Sequence, residues 1–141
     1  MTDFRNEKRL VRNYYGALDS SEIDKITDVL VEFTSQNYTW RAFHPFNLQT
    51  DAKVVSEIFW QPFRKSIRHM QRRMDIFFAG KNFIDDETSV WVCSMGHLMG
   101  LFDEPWIGIK PTGKIIMLRY AEFHKIENGK ISETAFYFDI P

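Results

Sequence analysis

The sequence predicts an α+β domain in which helices come first and long antiparallel strands follow. Three observations predict it. Apolar residues recur every three or four positions early in the chain, they recur every second position from Met74 onward, and Asn128-Gly129 separates two runs of branched and aromatic residues as a hairpin turn does. Bulges would curve such a sheet, and helices over its concave side would make a cone whose inside is a ready pocket. Residues 1–141 read as one domain, a length sufficient to bury a real core.

Val11, Tyr14, Tyr15 and Leu18 share one face of a first helix after the polar starter Thr2-Asp3, and that inner face includes tyrosine hydroxyls. Ser20 or Ser21 caps a second helix that buries Ile23, Ile26, Val29 and Leu30, with Glu22 and Asp24 in its first turn. Phe33 leads to a short strand, Asn37 to Ala42, and a loop with His44-Pro45-Phe46-Asn47. Thr50 or Asp51 opens a third helix through Val54, Val55, Ile58 and Phe59; Pro62 kinks or restarts it before Phe63, Ile67 and Met70. On this reading Arg64, Lys65, Arg68, His69, Arg72 and Arg73 form its solvated side. Met74, Ile76 and Phe78 then alternate along a strand, Gly80 invites a bulge, and Asp85-Asp86 closes it. Val90 to Phe102 is the next strand, followed by a loop with Pro105, Trp106, Pro111 and Gly113.

The last hairpin, Ile115 to Ile140, holds one carboxylate, Glu122, between Tyr120 and His124 at every second position. Two pairings are open. With Asn128-Gly129 central in a type I′ turn, Glu127 opposes Lys130 and Glu122 shares a face with Ala135, Tyr137 and Asp139. With Glu127-Asn128 in a type I turn and Gly129 in a G1 bulge, Ile126 opposes Lys130, Glu122 faces Thr134, and the wall carries Tyr120, Glu122, His124, Phe136 and Phe138. Arg119 and Asp139 then approach each other on the opposite face.

Hydrophobic residues make up 44% and aromatics 16% of the chain, an aromatic excess that suits a pocket or an interface. A net charge of −1 gives no global field for phosphate backbones or anionic membranes, so neither nucleic acid nor membrane is expected as a partner. The lone Cys93 reads as a small buried hydrophobe. The charged residues from Asp3 to Arg9 interrupt any signal-peptide core and no run reaches membrane-spanning length, so a cytoplasmic location is expected. The four histidines lack metal-ligand spacing, and no dinucleotide or phosphate-loop glycine pattern occurs; neither metal nor cofactor is expected.

The helix, helix, short strand and helix, followed by Gly96-His97-Leu98-Met99-Gly100, Pro111-Thr112-Gly113-Lys114 and Asn128-Gly129-Lys130-Ile131-Ser132-Glu133, resemble the SnoaL-like polyketide cyclase family of the nuclear transport factor 2-like superfamily over nearly the whole chain. The resemblance implies the cone fold, homodimers through the outer sheet face, and cofactor-free ring closure with an aspartate as general acid and base. It also implies the G1-bulged register, which puts the family's functional positions on the pocket wall. Counted from Gly129-Lys130-Ile131, the family's catalytic aspartate falls at Phe136, its glutamine at Tyr120 and its histidine at Glu122, and its asparagine falls at Trp40. None of the four is retained, so the fold is implied while that mechanism is not.

Within the chain's own residues Glu122 is the candidate base, its pKa raised by burial among Tyr120, Phe136 and Phe138. His97 and His124 are the other candidate catalytic proton carriers. Tyr14 and Tyr120 would donate to an enolate oxygen, and Trp40, near the pocket mouth, joins Phe136 and Phe138 in holding a small hydrophobic ligand. Trp60 and Trp106 are read as a lid, interface or core packing. The function expected is a cofactor-independent lyase or isomerase on a hydrophobic carbonyl compound; a ligand-binding or dimerisation module is the other reading.

Overall fold

The computed structural model describes residues 3–85 and 88–141; the expected roles of Thr2 and Asp86 lie outside them. Helix α1, Arg5–Ser20, buries Val11, Tyr14, Tyr15 and Leu18, the face its periodicity predicts. A short 3₁₀ turn, Ile23–Lys25, precedes α2, Ile26–Phe33. The expected serine cap is absent: Ser20 and Ser21 donate backwards to the carbonyls of Gly16 and Leu18, closing α1 instead. Ile23 is left exposed.

Strand β1 is Thr34–Arg41, three residues longer at its start than expected, and β2 is Leu48–Gln49. Asp51 caps the next helix by accepting from the Lys53 N–H. That helix runs as α3, Ala52–Val55, a π turn, Ser56–Trp60, and α4, Gln61–Ser66; the wide turn lies directly ahead of Pro62, which has no N–H to donate.

The helix stops at Ser66, and Ile67–Lys81 is strand β3, so the reading of Ile67, Met70, Arg72 and Arg73 as helical is corrected. Strands β4, Val90–Phe102, β5, Ile115–Glu127, and β6, Lys130–Phe138, complete one six-stranded sheet in the order β2-β1-β6-β5-β4-β3. All its pairings are antiparallel except β1 with β6, and the helices pack on its concave face. Among the described residues no helix is long and apolar enough to cross a membrane.

Curvature has identifiable causes. The β3–β4 register shifts between Arg68 and Gln71 and again between Met74 and Ile76, and these two bulges sit opposite Gly100 and Gly96. A Cβ on Gly96 would collide with the Arg73 carbonyl oxygen, and one on Gly100 would stand 2.6 Å from Ile67 Cγ2 and 2.8 Å from the Arg68 oxygen. The glycines of Gly96-His97-Leu98-Met99-Gly100 therefore let β3 press against β4 at two places and bend the sheet around Arg72. No bulge forms at Gly80, which pairs regularly with Trp91.

At the β5–β6 turn Asn128 and Gly129 have φ of 51° and 73°, and Glu127 opposes Lys130: this is the type I′ turn. The G1-bulged alternative, Glu122 facing Thr134 included, is corrected. A bulge then follows, because Ile126 opposes Ile131 while Lys125 opposes Glu133, leaving Ser132 as the extra residue. The shift returns Tyr120, Glu122 and His124 to the face of Thr134, Phe136 and Phe138, with Glu122 opposite Phe136 and Thr134 opposite His124. The face was anticipated correctly by way of the wrong turn.

Candidate functional site

The concave side holds one buried polar cluster, assembled from five elements. Helix α1 supplies Tyr15 and Asp19, β3 supplies Arg72, β4 Ser94, β5 Glu122 and His124, and β6 Thr134. Strand geometry explains the convergence: residues two apart on β5 share a face, and Ser94 and Thr134 are the cross-strand partners of Glu122 and His124.

Tyr15 is the hub. Its hydroxyl donates to Glu122 Oε1 at 2.7 Å and lies 2.7 Å from Ser94 Oγ and 2.9 Å from His124 Nε2. Nδ1 of His124 is 2.9 Å from Thr134 Oγ1. Tyr15 can therefore donate to Glu122 while accepting from His124 Nε2–H, and Thr134 pairs with the other ring nitrogen.

Arg72 supplies the positive charge. Its Nε donates to Asp19 Oδ2 at 2.9 Å and its Nη1 to Glu122 Oε1 at 3.4 Å, while its guanidinium carbon lies 3.7 Å from the Tyr15 ring centroid and 5.0 Å from that of Tyr120. Only 3% of its side chain is exposed. Burial would lower the pKa of Arg72, but Asp19 and Glu122 outweigh it and keep the group charged.

Burial also pushes the Glu122 carboxyl up, yet attraction and hydrogen bonding from His124, then Arg72 and Tyr15, outweigh it. The carboxyl therefore sits below its ordinary value, opposite to the rise expected from a greasy wall alone. The Tyr15 phenol is held well above its usual range, first by burial and then by Glu122, so it remains a donor.

The structure thus brings Glu122 and His124 together, both fully buried, and sets Tyr14 edge-on to His124 with ring centroids 5.8 Å apart. His97 is not part of the cluster: it points to the outer face, where Nδ1 meets Arg73 at 3.1 Å and Asp75 at 3.2 Å. Trp40 is not at a mouth but wholly buried against Phe46, Phe59 and Phe136. Trp60 and Trp106 are core residues, not a lid. Cys93 is half-buried on the outer face rather than inside.

Beside the polar cluster the rings pack on one another. Trp60 and Phe136 stack with centroids 5.5 Å apart and Phe136 lies 4.9 Å from Phe138. Among the described residues four buried donors here lack an acceptor: Trp40 Nε1, Trp60 Nε1, Trp106 Nε1 and the Tyr120 hydroxyl. Tyr120 and Phe138 also reach the edge of a surface hollow of ≈ 330 Å³ lined on the outer side of the sheet by Met95, Arg119, Ala121 and Tyr137. Arg119 and Asp139 meet on the outer side as expected, at 2.9 Å.

Sequence reasoning missed Tyr15 as the hub, with Arg72, Asp19 and Ser94. The alternation Met70, Arg72 carried the signal for Arg72, but a helical period through Phe63, Ile67 and Met70 hid it.

No family model and no curated protein matches the sequence. Solved structures do match. A proposed SnoaL-like polyketide cyclase from Jannaschia sp. is 14% identical, aligned over 97% of this chain and 87% of that one with a TM-score of 0.72. AclR, a proposed hydroxylase from Streptomyces galilaeus, is 14% identical over 98% and 81% with a TM-score of 0.73. An NTF2-like protein from Burkholderia thailandensis is 15% identical over 96% and 92% with a TM-score of 0.67. Helices closing the concave side of a curled mixed sheet, together with these neighbours, give the chain the α+β cone fold of the SnoaL-like and nuclear transport factor 2-like proteins.

Proposed function

We propose that this protein is a cofactor-independent lyase or isomerase that moves protons on a small hydrophobic carbonyl compound inside the cone. The observation that carries the reading is the dry Tyr15 hydroxyl shared by Glu122 and His124 beside a buried guanidinium. A ground for a guest is the set of four unpartnered donors in the adjoining rings, since each such group costs about 1–3 kcal/mol unless something accepts from it. Neighbours of the same fold include two proteins proposed to be polyketide cyclases, one of them SnoaL-like.

In the proposed reaction the substrate carbonyl oxygen accepts from Tyr15 and Arg72. Glu122 takes the proton from the adjacent carbon, the C–H electron pair passes into the enolate, and Tyr15 and Arg72 hold its oxygen. Drawing Arg72 from Glu122 to the enolate removes one influence that depresses the carboxyl, strengthening the base when it is needed. Glu122 then returns that proton to a second carbon as the enolate pair forms the new C–H bond, or passes it to a leaving group whose bond electrons depart with it; His124, held by Thr134, keeps the Tyr15 hydroxyl in place.

The test is solvent deuterium exchange into the α positions of 2-tetralone, a hydrophobic ketone, followed by NMR. Exchange should be accelerated by the wild type and lost in Glu122→Gln while binding persists. Binding without exchange in the wild type rejects the enzyme and favours the ligand-binding module, a reading to which the packed rings and the replaced family positions lend weight. We also propose a homodimer through the outer sheet face, where Ile76, Phe78, Met95, Met117 and Tyr137 are each about half exposed. Sedimentation of wild type and Met117→Glu checks it: a monomer in both overturns it.

A further inference from the structure

Helix α1 carries a row of cations on the side away from the interior. Arg5, Lys8, Arg9 and Arg12 fall within two of its turns and, with Asn13, line a groove of ≈ 630 Å³ whose other wall is Phe77 of β3. The volume lies in the range of small-molecule sites. Four cation pairs stand at spacings of three or four residues, Arg5 with Lys8 and Arg9, and Arg12 with Lys8 and Arg9; each destabilises an isolated helix. Compensation is slight. Arg5 meets Asp3 at 3.2 Å with both side chains exposed, and among the described residues Lys8, Arg9 and Arg12 form no ion pair.

This concentration is local, since the chain as a whole carries −1. In a protein with no general cationic character this stripe makes a local positive field suited to an anion. The groove also has a flat element. The Arg12 guanidinium lies 5.5 Å from the Phe77 ring centroid, so a cation and an aromatic ring stand side by side in the groove.

We infer that this groove binds a chain of phosphates joined to a planar ring, the chemistry of a nucleoside triphosphate. The cations take the phosphates by charge-assisted hydrogen bonds, with the forked guanidiniums of Arg9 and Arg12 suited to bidentate contacts, and Phe77 takes the ring. The inference is independent of the chemistry proposed for the interior. A groove bounded on two sides favours a small ligand over a duplex, which would need an extended basic surface.

The test is titration calorimetry of the full chain with ATP, tripolyphosphate and a short DNA duplex at about 0.15 M salt. ATP should bind saturably, weaken as salt rises, and bind about 10-fold or more weakly to the Arg9→Gln/Arg12→Gln double variant. Both positions are exposed and glutamine is a good helix former, so the variant keeps its fold. Phe77→Leu should weaken ATP while leaving tripolyphosphate unchanged. No saturable binding of ATP, equal affinity in the double variant, or duplex binding tighter than ATP overturns the inference.

Discussion

Two clusters of histidine, carboxylate and arginine stand back to back on one sheet, and only one of them is dry. Outside, His97, Asp75 and Arg73 have side chains 23%, 46% and 53% exposed; inside, His124, Glu122 and Arg72 are at 0%, 1% and 3%. Arg72 and Arg73 are adjacent in the chain, so the alternation of a strand alone decides which one faces water. The same three residue types thus become a solvated ornament on one face and a coupled network on the other. Chemistry is assigned by face before it is assigned by composition.

The sharpest way to break this comparison is to delete one arginine at a time. Arg72→Met should cost about 3–5 kcal/mol in denaturant unfolding, because Asp19 and Glu122 lose their buried counter-charge. Arg73→Met should cost less than about 0.5 kcal/mol. Equal losses would mean that the two faces are energetically alike. Gly96→Ala should follow at about 2–3 kcal/mol, since the added methyl meets the Arg73 backbone and disturbs the bulge that separates the faces.

Acid sharpens the comparison further. The Glu122 carboxyl lies below its ordinary value, so between the folded and unfolded values the native state binds fewer protons than the unfolded chain. The stability it contributes is complete above the ordinary carboxylate range of about 4.3 and is lost as pH falls through the lower folded value. Glu122→Gln should flatten that acid limb in stability measured against pH. The smallest effect is expected for His97→Ala, under about 0.5 kcal/mol with the acid limb unchanged.

Much of this could be read from residues. The inner face of α1, the limits of β4, the pairing of Arg119 with Asp139 and the common face of Glu122 and His124 all follow from spacing. What failed did so where bulges interrupt period two. Phe63, Ile67 and Met70 lie four and three apart, as on a helix, although Ile67 and Met70 share a strand face only because His69, with φ of 56°, takes up a bulge between them. Nothing at Ser66 marks the helix end, which is why Arg72 was assigned to the wet side. Ser132 is likewise silent: its extra length reverses the consequence of a turn that Asn128-Gly129 announces plainly. The direction of the Glu122 pKa could not be reached from β5 alone, because the groups that lower it come from two other segments, α1 and β3, as well as from its neighbour His124.

The parallel contact between β1 and β6 joins Thr34 to Ile131 and Trp40 to Thr134, so an early strand has its lateral neighbour near the far end of the chain. As the polypeptide leaves the ribosome, the first strand must wait through the synthesis of almost everything else before its ladder can form. Nascent protein accordingly spends most of its translation with a bare edge beside aromatic side chains, and chaperone engagement should persist until the final strand emerges.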